Sequence, residues 1–409
     1  MTENEKKAYA QVLLKKGINL QKDQILVINA PVEAAEFTTA LAESAYNDGA
    51  SQVVVSWRCD NLTKLRYNRE ALANFESFPD WRRDFSLSYY RKGAAFLSLI
   101  SANPNLLAGV DTKKITAFQH ASHKALKEYS DGIMASKVTW LVAAVPSCTW
   151  AKLLYPEDDT DTAYAKLEQV ILKASRADGP DPLSAWDGHL ENLRKRRTWL
   201  TEKAFTALRC TNELGTDLTI GLPEGHIWQG GTEATTTGIL FNANVPTEEV
   251  YSAPQRDRVN GVVYSTKPLV YRGNIIDRFC LVFKDGAVID SIAEKGNDIL
   301  TTLLDTDEGS RRLGEVALIP YNSPISLTNT LFYETLFDEN ASCHVALGRA
   351  YPTCLRGGAN MNDDELRTAG LNDSVVHVDF MIGSADLQIT GIKKDGTEVP
   401  VFKECNWAE

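Results

Sequence analysis

Three patterns that would assign a chemistry at once are missing from this chain. Its seven cysteines, scattered from Cys59 to Cys405, are odd in number and form no Cys-x-x-Cys pair. That fits neither a disulfide framework nor a cysteine-based zinc site, and it points to a reducing compartment. No Gly-x-Gly-x-x-Gly and no phosphate-cradling Gly-x-x-x-x-Gly-Lys-Ser/Thr follows a strand-like run, so neither a dinucleotide nor a nucleoside triphosphate has a sequence handle. Basic charge is in deficit: 43 Lys and Arg against 54 Asp and Glu leave a net charge of −11. A phosphate-backbone partner needs the opposite sign, so no nucleic acid is expected. No stretch reaches the ~18 uncharged apolar residues of a membrane span. The first residues, MTENEKKAYAQVLLKKG, lack an apolar core followed by a small-residue cleavage site. The expectation is no membrane partner and a cytoplasmic location.

What is present is an ordinary globular composition, 44% apolar and 24% charged over 409 residues, enough for two or three domains each with its own core. Helical spacing over Glu3 to Lys16 precedes the apolar run QILVINA at Gln24 to Ala30. An Ala-rich helical pattern over Glu33 to Asn47, capped by Gly49, leads to QVVVSW at Gln52 to Trp57. That is a βαβ unit. The alternation continues with a strand at Ala94 to Ser101, a helix at Lys113 to Tyr129 and a strand at Lys137 to Val145. The acidic cluster EDDTD at Glu157 to Asp161 reads as the start of a helix over Ala163 to Ala177, where acids favour the helix dipole. His120 and His123, three apart on one helix with no acid motif nearby, read as structural or surface residues.

After about Thr201 short β-rich runs follow one another, with Lys284-Asp285-Gly286 and Lys394-Asp395-Gly396 as hairpin signals and a helix expected near Asn297 to Leu313. The expected organisation is an α/β domain with a mostly parallel sheet over 1–200 and a β-rich α+β domain, mainly antiparallel, over 201–409.

The chemistry-bearing residues fall in the second half. In LGEVALIPYNSPISLTNTLFYETLFDENASCHVALGRAY, from Leu313 to Tyr351, Glu315 interrupts an apolar run, Asp338 and Glu339 end another, and His344 follows. In SVVHVDFMIGS, from Ser374, the strand period puts His377 and Asp379 on one face, with Val376, Val378 and Phe380 on the other. Burying an imidazole and a carboxylate costs several kcal/mol unless something pairs them, and a divalent cation satisfies both. Upstream, NANVPTEEVYSAP carries Glu248 and Glu249, adjacent acids that spacing alone does not rank. Glu249, Glu315, Glu339, His344, His377 and Asp379 together supply four carboxylates and two imidazoles, a ligand set for two divalent ions, zinc, cobalt or manganese. Taken singly, each is more often an ion pair, a cap or a satisfied core group.

These words closely resemble the aminopeptidase S/T family of metallopeptidases, the thermophilic-type aminopeptidases. The likeness runs through NVPTEEVYSAP, VNGVVYSTKPL, LGEVALIP, TLFDENASCHVALGRAY and HVDFMIGS and covers essentially all of residues 200 to 409. The first half resembles the family in length and βαβ character. The resemblance implies metal ligands at Glu249, Glu315, Glu339, His344, His377 and Asp379, a catalytic tyrosine at Tyr351, a peptide substrate with a free N-terminus, and a homodimer that buries the site at the subunit contact. Glu315, and after it Glu249, is the expected proton carrier. A dinuclear hydrolase of another amide or a phosphoester, and a non-catalytic protein with structural metals, are the alternatives. Closed structural sites favour Cys and His, which tells against the last.

Overall fold

The computed structural model describes residues 1–271 and 274–408. They form two compact units, Met1–His189 with Thr232–Pro246, and Leu190–Gly231 with Thr247–Glu409. Residue 200 lies within the helix Pro182–Lys203.

In the first unit the strands Gln52–Arg58, Ile25–Pro31, Ala95–Ile100, Trp140–Ala144 and Asn244–Val245 lie side by side in that order, all parallel. This is the expected α/β layer. Continuous apolar runs place Leu26, Ile28, Leu97, Leu99 and Leu141 in its core. Gly49 follows the helix Ala35–Asn47 with φ +98°, the left-handed geometry that ends helices without a Cβ penalty. Asp159 caps the helix Thr160–Ala174 by accepting from the N–H groups of Asp161 and Thr162, so the acidic cluster starts a helix as expected. His120 and His123 are exposed on the helix Thr112–Ala125.

Some boundaries differ. The N-terminal helix is regular only over Glu3–Gln11 and continues as a π-helical stretch, Val12–Gly17. The helix expected through Tyr129 is broken at Leu126 into Thr112–Ala125 and Lys127–Met134. The fifth parallel strand, Asn244–Val245, comes from a segment read only for its acids.

The second unit is antiparallel, with a nine-stranded and a four-stranded sheet. Asp285-Gly286 turns the hairpin between Asn274–Lys284 and Ala287–Lys295 with positive φ at both residues, the primed geometry that matches strand twist. The helix expected over Asn297 to Leu313 stops at Leu304. Beyond it Asp307 accepts from Ser310 N–H and Val375 N–H, and Leu313 already begins a strand.

The four-stranded sheet runs Val250–Ser252, Leu313–Leu318, His344–Gly348, His377–Met381. One face carries Val316, Leu318, Val345, Leu347 and Phe380 into the same core as Leu208, Ile220, Phe279 and Leu281 of the larger sheet. The Phe279 and Phe380 rings lie 5.2 Å apart. Fully burying each such side chain contributes about 1.5–3 kcal/mol, which fixes this face inward and commits the other to the site.

Candidate metal centre

On the central strand His344, Ala346 and Gly348 alternate with the core residues Val345 and Leu347, so the first three share the opposite face. Ala346 stands in register with Glu315 on one neighbour and Asp379 on the other, and Gly348 is opposite His377. The two smallest side chains therefore lie in the middle of the row. The space above them is filled by polar groups from both flanking strands.

Glu315 owes its direction to a bulge. Leu313 pairs with Leu347 and Glu315 with Ala346, so Gly314 is an extra residue and the usual alternation is broken there. Leu313 can thus enter the core while Glu315 faces the site. A Cβ on Gly314 would lie 2.4 Å from the carbonyl oxygens of Gly348 and Arg349, so glycine is required. Gly-Glu in an apolar run was the available signal, since glycine inside a strand marks bulges.

The side chains converge on the two imidazoles. His344 Nε2 is 3.5 Å from Glu249 Oε2, 3.5 Å from Glu315 Oε1 and 3.9 Å from Asp379 Oδ1. His377 Nε2 is 3.5 Å from Glu315 Oε2 and 3.3 Å from Asp379 Oδ1. Glu315 thus offers one oxygen to each ring. The far nitrogens are held by backbone: His344 Nδ1–H donates to Glu339 O (3.1 Å) and Ser342 O (3.2 Å), and His377 Nδ1–H to Arg349 O (2.7 Å). A carbonyl only accepts, so Nδ1 keeps the hydrogen and Nε2 is left as the lone-pair donor, the arrangement that orients metal-binding histidines.

Among the described residues, two sets of ligand atoms come within 4.8 Å of one another: Glu249 with Glu315 and His344, and Glu315 with His377 and Asp379. Glu248 belongs to neither; its backbone N–H donates to the buried Asn340 side chain. Glu339 also lies outside both sets. It ends the helix Thr335–Glu339, and its carboxyl is pushed well above the carboxylate range by burial and then by the charges of Glu249, Asp379 and Glu315.

The charges show what the cluster demands. Burial, then Glu315, pushes Glu249 up to about 8. Burial would lower both histidines, but the acids override it: Glu315, Asp379 and Glu249 raise His344 to about 9, and Asp379 and Glu315 raise His377 to about 10. Asp379, despite burial, is held below its usual range by His377 and His344. Buried carboxyls, of which Glu249 and Glu339 are pushed up by burial and by their neighbours' charges, gathered around two imidazoles oriented through Nδ1, fit divalent cations by their donor chemistry.

The chain leaves the central strand at Gly348, whose φ of +108° ends the alternation before Tyr351. Residues 344–348 are a strand, yet Tyr351 still reaches the site face, its ring edge-on to His377 with centroids 5.1 Å apart. On its other side stands Tyr251, from the edge strand, at 5.9 Å. Sequence reasoning missed that residue, although it lies two positions beyond Glu249. Burial and then the charges of Glu315, Asp379, Glu339 and Glu249 raise the Tyr351 phenol well above its usual range, so it remains a hydrogen-bond donor.

The chain is similar to known proteins over nearly its full length. Aminopeptidase AmpS of Bacillus subtilis is 47% identical over 400 residues, spanning 98% of this chain and 97% of the relative. Aminopeptidase 2 of Geobacillus stearothermophilus is 44% identical over 99% of this chain and 98% of its own. The structure of wild-type AmpT from Thermus thermophilus superposes with a TM-score of 0.94 at 37% identity, covering 100% of both chains. Residues 2–407 match the family model for thermophilic metalloprotease (M29), and the chain belongs to that family.

Proposed function

We propose that this chain is a metal-dependent aminopeptidase that removes the N-terminal residue from peptides, with two divalent ions held by Glu249, Glu315, Glu339, His344, His377 and Asp379. One observation carries the reading: two imidazoles, each fixed through Nδ1 to a backbone carbonyl, turn their Nε2 atoms toward buried carboxylates, and Glu315 faces both. Oxygen ligands with a minority of imidazoles suit zinc, cobalt or manganese. When bound, such ions supply Lewis acidity toward the scissile carbonyl and bring the pKa of water close to neutrality.

The chain's own groups account for the rest. Glu315, common to both ligand sets, moves the proton from the attacking water to the leaving amine. Glu249 is the second choice, and Glu249→Gln and Glu315→Gln separate the two through the acid limb of the pH–rate profile. Tyr351 donates its phenolic hydrogen to the oxyanion as the carbonyl becomes tetrahedral, a contact worth on the order of 3 kcal/mol. A spare carboxylate of the same cluster would hold the substrate's free amine. A homodimer in the cytoplasm completes the proposal; light scattering of the purified chain tests the first part.

The deciding experiment is hydrolysis of free and N-acetylated dipeptides and aminoacyl amides by chelator-stripped protein, before and after zinc, cobalt or manganese is restored. Metal-dependent cleavage confined to free amines is expected. Equal cleavage of acetylated substrates would point to another amidase, and no cleavage with any metal would leave the family likeness describing fold alone.

A further inference from the structure

Asn340 is fully buried immediately after Glu339, and its side chain is tied on both ends. Its Oδ1 accepts the Glu248 N–H at 2.7 Å, across 92 residues of chain. Its Nδ2 donates to Leu336 O at 2.9 Å and reaches Glu339 Oε1 at 3.5 Å. An N–H partner on one side and a carbonyl on the other fix which end of the amide is which.

The groups it joins are those of the proposed metal centre. Glu248 precedes Glu249, whose carboxylate faces His344; Glu339 bears a further proposed ligand, and its carbonyl holds His344 Nδ1. The segment around Glu249 is irregular chain leading into the edge strand Val250–Ser252, whereas Glu339 ends a helix of only five residues. The ladder hydrogen bonds of Val250–Ser252 begin after Glu249, and Glu339 lies before the central strand. The Asn340 amide links these two segments directly.

Resting on the metalloaminopeptidase reading above, we propose that Asn340 is a positioning residue that sets the placement of Glu249 against Glu339 and His344, and so the affinity of the centre for its ions. It touches neither substrate nor reacting atoms in this role. Removing the side chain releases the Glu248–Glu249 segment from this tie and takes from the Glu248 N–H its Asn340 acceptor. Asp at this position preserves that acceptor and loses the donations to Leu336 O and Glu339 Oε1.

The test is metal binding rather than turnover. Apo-protein of the unsubstituted chain, Asn340→Ala and Asn340→Asp is titrated with manganese by calorimetry, and the cobalt-loaded forms are compared by visible absorption. Ser310→Ala, which removes a fully buried hydroxyl bonded to Leu304 O and Asp307 O, is the control for general loss of packing. Asn340→Ala is expected to weaken ion binding by about tenfold to a hundredfold and to change the cobalt spectrum, as loss of a group supporting metal ligands does. Asn340→Asp should recover part of that loss. Ser310→Ala should lower Tm with metal affinity unchanged. Metal affinity and cobalt spectrum in Asn340→Ala equal to the unsubstituted chain would overturn the positioning role while leaving the metalloenzyme reading intact. Failure of the unsubstituted chain to take up any ion would overturn both.

Discussion

Glu315 and Asp379 face each other across Ala346, each in register with it on a neighbouring strand. The row works because its middle member is a methyl group: a larger side chain would occupy the space into which the two carboxylates reach. Ala346→Leu is expected to cut metal uptake roughly tenfold or more, and the added atoms to cost about 1–3 kcal/mol of stability. Ala346→Gly should keep its ions. Metal analysis after dialysis checks both, and normal uptake by the leucine variant would mean that the row does not hold the ions.

His377 and Asp379 share a strand face and lie 3.3 Å apart through His377 Nε2. Replacing either with Ala removes one proposed ligand and leaves the other beside Glu315. Metal content and activity should fall together, activity by on the order of a hundredfold or more if the ions supply the Lewis acidity. A variant with full activity and full metal content would exclude that residue as an essential ligand.

The fold was largely legible because its signals are local. Apolar runs such as QILVINA and QVVVSW became parallel strands, and Asp285-Gly286 became a hairpin turn. The site was legible in a different way. Strand alternation correctly put His377 and Asp379 on one face, but no local rule joins Glu249 to His344, 95 residues on; only tertiary contacts do, because Glu249 precedes the paired residues Val250–Ser252. Two features were hidden for the same reason. Tyr251 stands beside Tyr351 only because an edge strand returns to the sheet, and Tyr351 reaches His377 only because Gly348 breaks the alternation that would have turned it away. Among the adjacent acids, the Glu248 N–H is engaged by Asn340 while the Glu249 carboxylate faces His344, a distinction that only tertiary contacts supply.

Without metal the centre should make stability fall as pH rises. Glu249 goes from an ordinary carboxylate in the unfolded chain to about 8 when folded, and His344 and His377 rise to about 9 and about 10. A group whose folded pKa is raised stabilises most below its unfolded pKa, and that contribution is lost as pH climbs through the folded value. The window therefore runs from about pH 4.5 through about pH 10. Asp379 is shifted the other way, so its contribution is lost only on acidification below the usual carboxylate range. Denaturant melts of chelator-stripped protein at pH 6 and pH 9 should show the lower stability at pH 9. Free metal at a hundred times its Kd should add about 2.7 kcal/mol. Equal stability of stripped protein at both values would remove the protonated cluster from the account.

Tyr351 separates chemistry from metal binding. Its ring packs edge-on to His377 and against Tyr251, contacts that phenylalanine keeps, while the hydroxyl alone supplies the hydrogen bond assigned to the oxyanion. Tyr351→Phe should therefore bind its ions normally and leave KM little changed. Its kcat should drop roughly a hundredfold or more, the loss typical when one oxyanion donor is removed. Because the interaction exists only in the transition state, kcat and kcat/KM should fall by the same factor. A rise in KM at constant kcat would instead assign the hydroxyl to ground-state substrate binding, and an unchanged rate would remove it from the reaction.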